Sequence, residues 1–158
     1  MAETHLTFED FTPGRRFDFS QRRLTAEEIV AFAKEFDPQP MHLDEAAGRA
    51  SILGGLAASG WHTSAIMMRM LYEAYIRNTT SEGSPGVDVM EWKRPVLAGD
   101  TLGGHCTVME ARASRSRPEI GIVRLRAEVT NQRGETVAVC EYINMIRLAE
   151  KEADHADG

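Results

Sequence analysis

Cysteine is nearly absent from this chain. Its 158 residues include two, Cys106 and Cys140, and no Cys-x-x-Cys pair. A disulfide-stapled scaffold is therefore excluded, and both cysteines fall in predicted strands, where reduced, buried thiols are expected. No pair among the five histidines has metal-ligand spacing, so no metal site is expected. Basic residues are also in deficit: 18 Lys and Arg stand against 24 Asp and Glu, for a net charge of −6. That balance argues against a general nucleic-acid binder. The start, MAETHLTFED, has neither a basic cluster nor an apolar run, so it is not read as a secretory signal. The longest apolar stretch, Trp61–Arg77, is interrupted by Arg69 and Glu73 and is not read as a membrane span. These absences lead to the expectation of a cytoplasmic protein of one domain, residues 1–148. The charged end, residues 149–158, is expected to be a disordered acidic tail.

Local patterns place the elements. Phe17 and Phe19 alternate with polar residues in a weak strand over 16–24. Thr25 with Glu28 three residues on is a capping-box signature, and Ile29, Phe32, Ala33 and Phe36 follow at helical spacing. A helix over 26–36 is expected, ended by Asp37-Pro38 because a proline pushes the preceding residue out of helical geometry. Residues 44–50 read as a short helix capped by Asp44. The run Trp61–Arg77 carries Arg69, Glu73 and Arg77 as a narrow polar stripe, which predicts a helix buried on most of its circumference. Strands are expected over 87–93, 101–113, 120–130 and 136–147, with a hairpin turn at Asn131-Gln132-Arg133-Gly134. Helices early and antiparallel strands late make an α+β chain. The economical arrangement is a curved antiparallel sheet wrapped around the apolar helix. Its exposed edges call for a second copy, so a homodimer or higher homo-oligomer is expected.

The chemistry-bearing residues concentrate in 37–60. Asp37 and His42 lie in one loop stiffened by Pro38 and Pro40, and Gly60 opens the apolar helix. A carboxylate and an imidazole are a proton-transfer pair, and a helix-initial N–H is a donor without an internal partner. Asp37, beside apolar walls, is expected to have its pKa raised. Asp44 reads as a cap, His62 as packing, and Met67, Met68 and Met70 as core. Arg112, Arg115 and Arg117 flank a turn and read either as phosphate ligands or as a solvated hairpin tip.

The stretch Asp37-Pro38-Gln39-Pro40-Met41-His42-Leu43-Asp44, with Gly60 eighteen residues past His42, resembles the MaoC-like dehydratases and (R)-specific enoyl-CoA hydratases. Arg94-Pro95-Val96-Leu97-Ala98-Gly99-Asp100 is similar to that family's entry into its second long strand. The resemblance spans about residues 8–148. It implies a hot-dog fold and a lyase that interconverts trans-2-enoyl-CoA and 3-hydroxyacyl-CoA in fatty acid metabolism. Catalysis would fall to Asp37, His42 and Gly60, with a coenzyme A thioester as substrate and no cofactor. Two other readings are an acyl-CoA thioesterase of the same fold and a non-catalytic acyl-CoA-binding subunit. The chain departs from the family pattern at Gln39, where asparagine is usual, and at Ser59, where histidine is common. It also carries Met67 and Met68 where some members have a serine.

Overall fold

The computed structural model describes residues 5–151. Its elements run β1 (Arg16–Asp18), β2 (Arg22–Arg23), α1 (Ala26–Phe36), α2 (Glu45–Ala50), α3 (Gly60–Ala74), β3 (Val87–Trp92), β4 (Thr101–Ala113), β5 (Ile120–Thr130) and β6 (Thr136–Arg147). All strand pairs are antiparallel, in the order β1-β4-β5-β6-β3, with β2 also on β4. The sheet curls around α3 in the hot-dog arrangement.

Alternation makes the core. On β5, Val123, Leu125, Ala127 and Val129 are fully buried, while the residues between them are half-exposed. The register carries this row across the sheet: Val108 lies opposite Leu125 and Leu125 opposite Tyr142. Ile66, Met67, Met70 and Leu71 of α3 join the same core. Truncating a side chain such as Leu125 to Ala would cost about 2–5 kcal/mol. Cys106 and Cys140 are both free and buried, one on each side of Ala127. With β5 between them they stand about 10 Å apart, beyond disulfide reach.

Three expectations need correction. The strand expected over 16–24 is two short strands, because the chain leaves the ladder between them. There Phe19 N–H donates to Gly104 O at 2.9 Å. Gly104 permits this with φ +123°, and a Cβ on it would meet Glu128 O at 2.0 Å. The central helix ends at Ala74 rather than Arg77. Tyr75 takes φ −150° and swings its ring inward, and a single 3-10 turn, Ile76–Asn78, follows. Nor is that helix buried on most of its circumference: Trp61, Met68 and Tyr72 are exposed at 65%, 49% and 43%. The expected tail lies largely outside the described residues. Within them, Ala149 N–H donates to Glu9 Oε2 at 3.0 Å.

Candidate active site

The capping box forms as the sequence implies. Glu28 N–H donates to Thr25 Oγ1 at 3.2 Å and Thr25 N–H to Glu28 Oε2 at 3.1 Å, which fixes where α1 begins. Twelve residues after Thr25, Asp37 closes the helix, its N–H on Ala33 O at 2.9 Å. Pro40 then starts a 3-10 turn, Pro40–His42, whose last residue is turned inward and is only 5% exposed. This turn is stitched to the segment before α3 by Ala57 N–H donating to Met41 O, and that segment is tied in turn to Val96, whose O accepts from Ala58 N–H. The two prolines and these cross-links hold the Asp37–His42 loop against the start of the central helix.

His42 Nδ1 lies 2.6 Å from Ala57 O. A carbonyl oxygen only accepts, so the proton is on Nδ1 and the neutral ring presents a lone pair at Nε2. That nitrogen stands 3.4 Å from Asp37 Oδ2. Two acceptors facing each other at this distance leave a place for a proton or for a molecule that donates to both. Asp37 is held by two further donors: Ser59 Oγ–H donates to Oδ2 at 2.7 Å and Gln39 Nε2–H to Oδ1 at 2.7 Å.

These contacts overturn the expected direction of the Asp37 pKa. The Ser59 hydroxyl, then the Gln39 amide, hold the carboxyl below its ordinary value, and a charge on His42 would act in the same direction. Burial opposes them and loses, because the Asp37 side chain keeps 18% of its surface in solvent. Gln39 and Ser59, two positions where the chain departs from the family pattern, are the donors to this carboxylate. The sequence flagged the positions but not the role, since nothing in residue order shows that a residue 22 positions downstream reaches Asp37.

Gly60 is the first residue of α3, so its N–H has no acceptor within the helix. Its lack of a side chain serves packing. A Cβ there would meet the Trp92 ring at 2.7 Å, and Trp92 Nε1–H donates to Ser64 Oγ at 3.1 Å. Sequence reasoning missed Trp92, which reaches the site from β3.

His42 and Gly60 both line a cavity of about 290 Å³, together with Met41, Thr63 and Trp92 and with Lys93 and Arg94 among the remaining walls. Asp37 is not among its walls. It touches the site through His42 and through Ser59, the residue before Gly60. The other candidates stand apart. Asp44 caps α2 by accepting from Ala47 N–H at 2.9 Å. His62 turns away and stacks on Phe32 at 4.6 Å. Arg112 pairs with Ile122, eight residues along β4 from Gly104, whose row runs through Val129 and Ala138 to Trp92 at the cavity. At about 3.3 Å per residue this puts Arg112 ~26 Å along the strand from that row, and Lys93 and Arg94 are the cations that line the cavity. Among the described residues no group of three or more His, Cys, Asp or Glu could hold a metal ion.

The MaoC-like domain pattern matches residues 9–131. This chain is a member of the MaoC-like family. It is similar to a MaoC-like dehydratase from Rhodospirillum rubrum, with 41% identity over 92% of this chain and 99% of that one, at a TM-score of 0.83. The uncharacterized protein YdeM of Bacillus subtilis (strain 168) is 28% identical over 128 residues, covering 81% of this chain and 89% of YdeM. The (R)-hydratase PhaJ1 of Pseudomonas aeruginosa, unliganded, shares the fold at a TM-score of 0.74 and 20% identity, over 95% of this chain and 93% of that one. Membership and neighbours together support a hydratase or dehydratase as the class of enzyme. No helix among the described residues is long and apolar enough to cross a membrane.

Proposed function

We propose that this MaoC-like protein hydrates trans-2-enoyl thioesters of coenzyme A to 3-hydroxyacyl thioesters, and catalyses the reverse dehydration. The observation that carries the reading is the facing of two acceptors, His42 Nε2 and Asp37 Oδ2, 3.4 Å apart beside a helix-initial N–H. A water on the cavity side of the pair donates one hydrogen to each and turns its lone pair toward the cavity. The thioester oxygen accepts from Gly60 N–H, where the α3 dipole adds positive potential. The water oxygen bonds to the β-carbon while its proton passes to His42 Nε2. The Asp37 carboxylate steadies the imidazolium so formed. Negative charge gathers on the thioester oxygen until Nε2–H returns the proton to the α-carbon. One water is added and both side chains end as they began. In this reading Asp37 is a charged partner rather than a proton reservoir, a role its lowered pKa favours.

Lys93 and Arg94 at the cavity fit the phosphates of coenzyme A. The exposed apolar stripe Trp61, Met68 and Tyr72, beside the edge strand β3 with its exposed Val87, is the face a second copy covers. Sedimentation showing a stable monomer at micromolar concentration would remove the dimer. A thioesterase would want a carboxylate on α3 at the site. The acid on that helix, Glu73, is instead in an ion pair with Arg69 at 2.7 Å, near the other end. Incubation with short and medium trans-2-enoyl-CoA decides between the readings. Loss of enoyl absorbance is expected. Release of free thiol would mean a thioesterase, and no reaction a binding subunit.

A further inference from the structure

Ser59 occupies the N-cap of α3, where a serine ordinarily accepts a hydrogen bond from the first turn. Its side chain makes no capping bond. The residue is fully buried, and the hydroxyl is directed away from its own helix, to Asp37 Oδ2 at 2.7 Å. Giving up a cap forfeits a favourable local bond, so the hydroxyl is committed elsewhere against local preference. The oxygen it binds is the same one that faces His42 Nε2. The next residue in the chain is Gly60, whose N–H has no helical acceptor.

We propose that Ser59 is a positioning residue: its buried hydroxyl fixes Asp37 Oδ2 opposite His42 and ties that carboxylate to the helix turn that presents the Gly60 N–H. The proposal rests on the reading of Asp37 and His42 as the water-holding pair. Three elements meet at this carboxylate. The 3-10 turn brings His42, the group that titrates; the loop brings Gln39 and α3 brings Ser59, and neither of these titrates. Gln39 binds the other oxygen from the exposed side, where water can replace it. Ser59 has no such substitute. A hydroxyl suits the site because it rotates: it donates to the carboxylate and accepts when Asp37 is protonated, so neither state leaves a buried group unpaired.

The test is the titration of the Asp37 carboxyl, followed by carbon NMR in the folded protein, in the wild type and in Ser59→Ala. Removing the hydroxyl should raise the Asp37 midpoint by about one pH unit, the size expected for one hydrogen bond to a charged group. At neutral pH kcat should fall about tenfold with KM little changed, as for a group misplaced in the transition state. Ser59→Cys, a weaker donor, should fall between the two, and it decides the matter if Ser59→Ala does not fold. An Asp37 midpoint that stays put in the substituted protein overturns the proposal. This readout needs no turnover, so it separates from the functional reading. A wild type that hydrates no enoyl thioester sinks that reading, whereas an active enzyme with an unmoved Asp37 midpoint sinks the role of Ser59 alone.

Discussion

The two ends of α3 hold two buried polar clusters built on opposite rules. At the far end, every donor is matched. Tyr75 O–H donates to Asn144 Oδ1 at 2.9 Å, which leaves the Tyr142 hydroxyl to donate to Tyr75 at 2.7 Å. The Asn144 amide in turn donates to Ser81 Oγ and Gly83 O, tying the loop before β3 to β6. Burial pushes both tyrosines well above their ordinary range and the Cys106 thiol up to about 12. None of these groups changes charge near neutrality. At the Gly60 end, two acceptors face each other across 3.4 Å, a carboxylate is kept charged, and an N–H is left without a helical acceptor. A closed network fixes the end of the helix, while an open one waits for a third party. Both use one or two residues from each of several elements, and only the hydrogen-bond accounting tells them apart.

The comparison can be broken from either side. The largest effect is expected at the open end: His42→Gln should lower hydration by about a hundredfold to ten-thousandfold with the protein still folded. Gly60→Ala comes next. Its Cβ must displace Trp92, and a loss of about tenfold or more in rate should accompany a change in Trp fluorescence. At the closed end, Asn144→Leu strands the Tyr75 hydroxyl and the Ser81 side chain. It should cost about 1–3 kcal/mol of stability, read as a lower Tm, without changing the rate.

A smaller effect concerns His62, whose Nδ1 is the buried side-chain polar atom left without a partner among the described residues. Burial first, and then Arg22, hold this imidazole below its ordinary 6.5 against the pull of Glu28. As pH falls from 6.5 toward the folded value, the unfolded chain takes the proton before the folded chain does. Stability from this group is complete above that window and is lost through it on acidification. His62→Phe should therefore flatten the pH dependence of Tm near pH 6 and leave Tm at pH 8 unchanged or slightly raised. A slope that persists in the variant would assign it to another group.

Much of this molecule was legible as sequence because local rules were obeyed locally. Thr25 and Glu28 began α1, Pro38 ended it, and strict alternation gave β5 its observed ends and its inward row. The family spacing of Asp37, His42 and Gly60 led to the loop and helix start that the structure brings together. Other features depended on residues far apart in the chain. Asp37 read as a desolvated acid because the hydroxyl that keeps it charged arrives from Ser59. Gly60 read as a helix-initial donor, and nothing in residue order shows that Trp92 of β3 packs on it. Met68 read as core, and Trp61 and Tyr72 stood on a helix read as mostly buried, because an apolar stripe left exposed has the composition of one packed on a sheet. Tyr75 ended the helix early for the sake of a hydroxyl bonded to β6, a contact no helical period reports.

The most direct measurement sets the two ends side by side. Hydration of a trans-2-enoyl-CoA and thermal unfolding are followed in the wild type, His42→Gln and Asn144→Leu. The account predicts opposite losses: His42→Gln keeps its Tm and loses its rate, while Asn144→Leu keeps its rate per folded protein and loses several degrees of Tm. An active His42→Gln variant would contradict the assignment of chemistry to the Gly60 end of the helix.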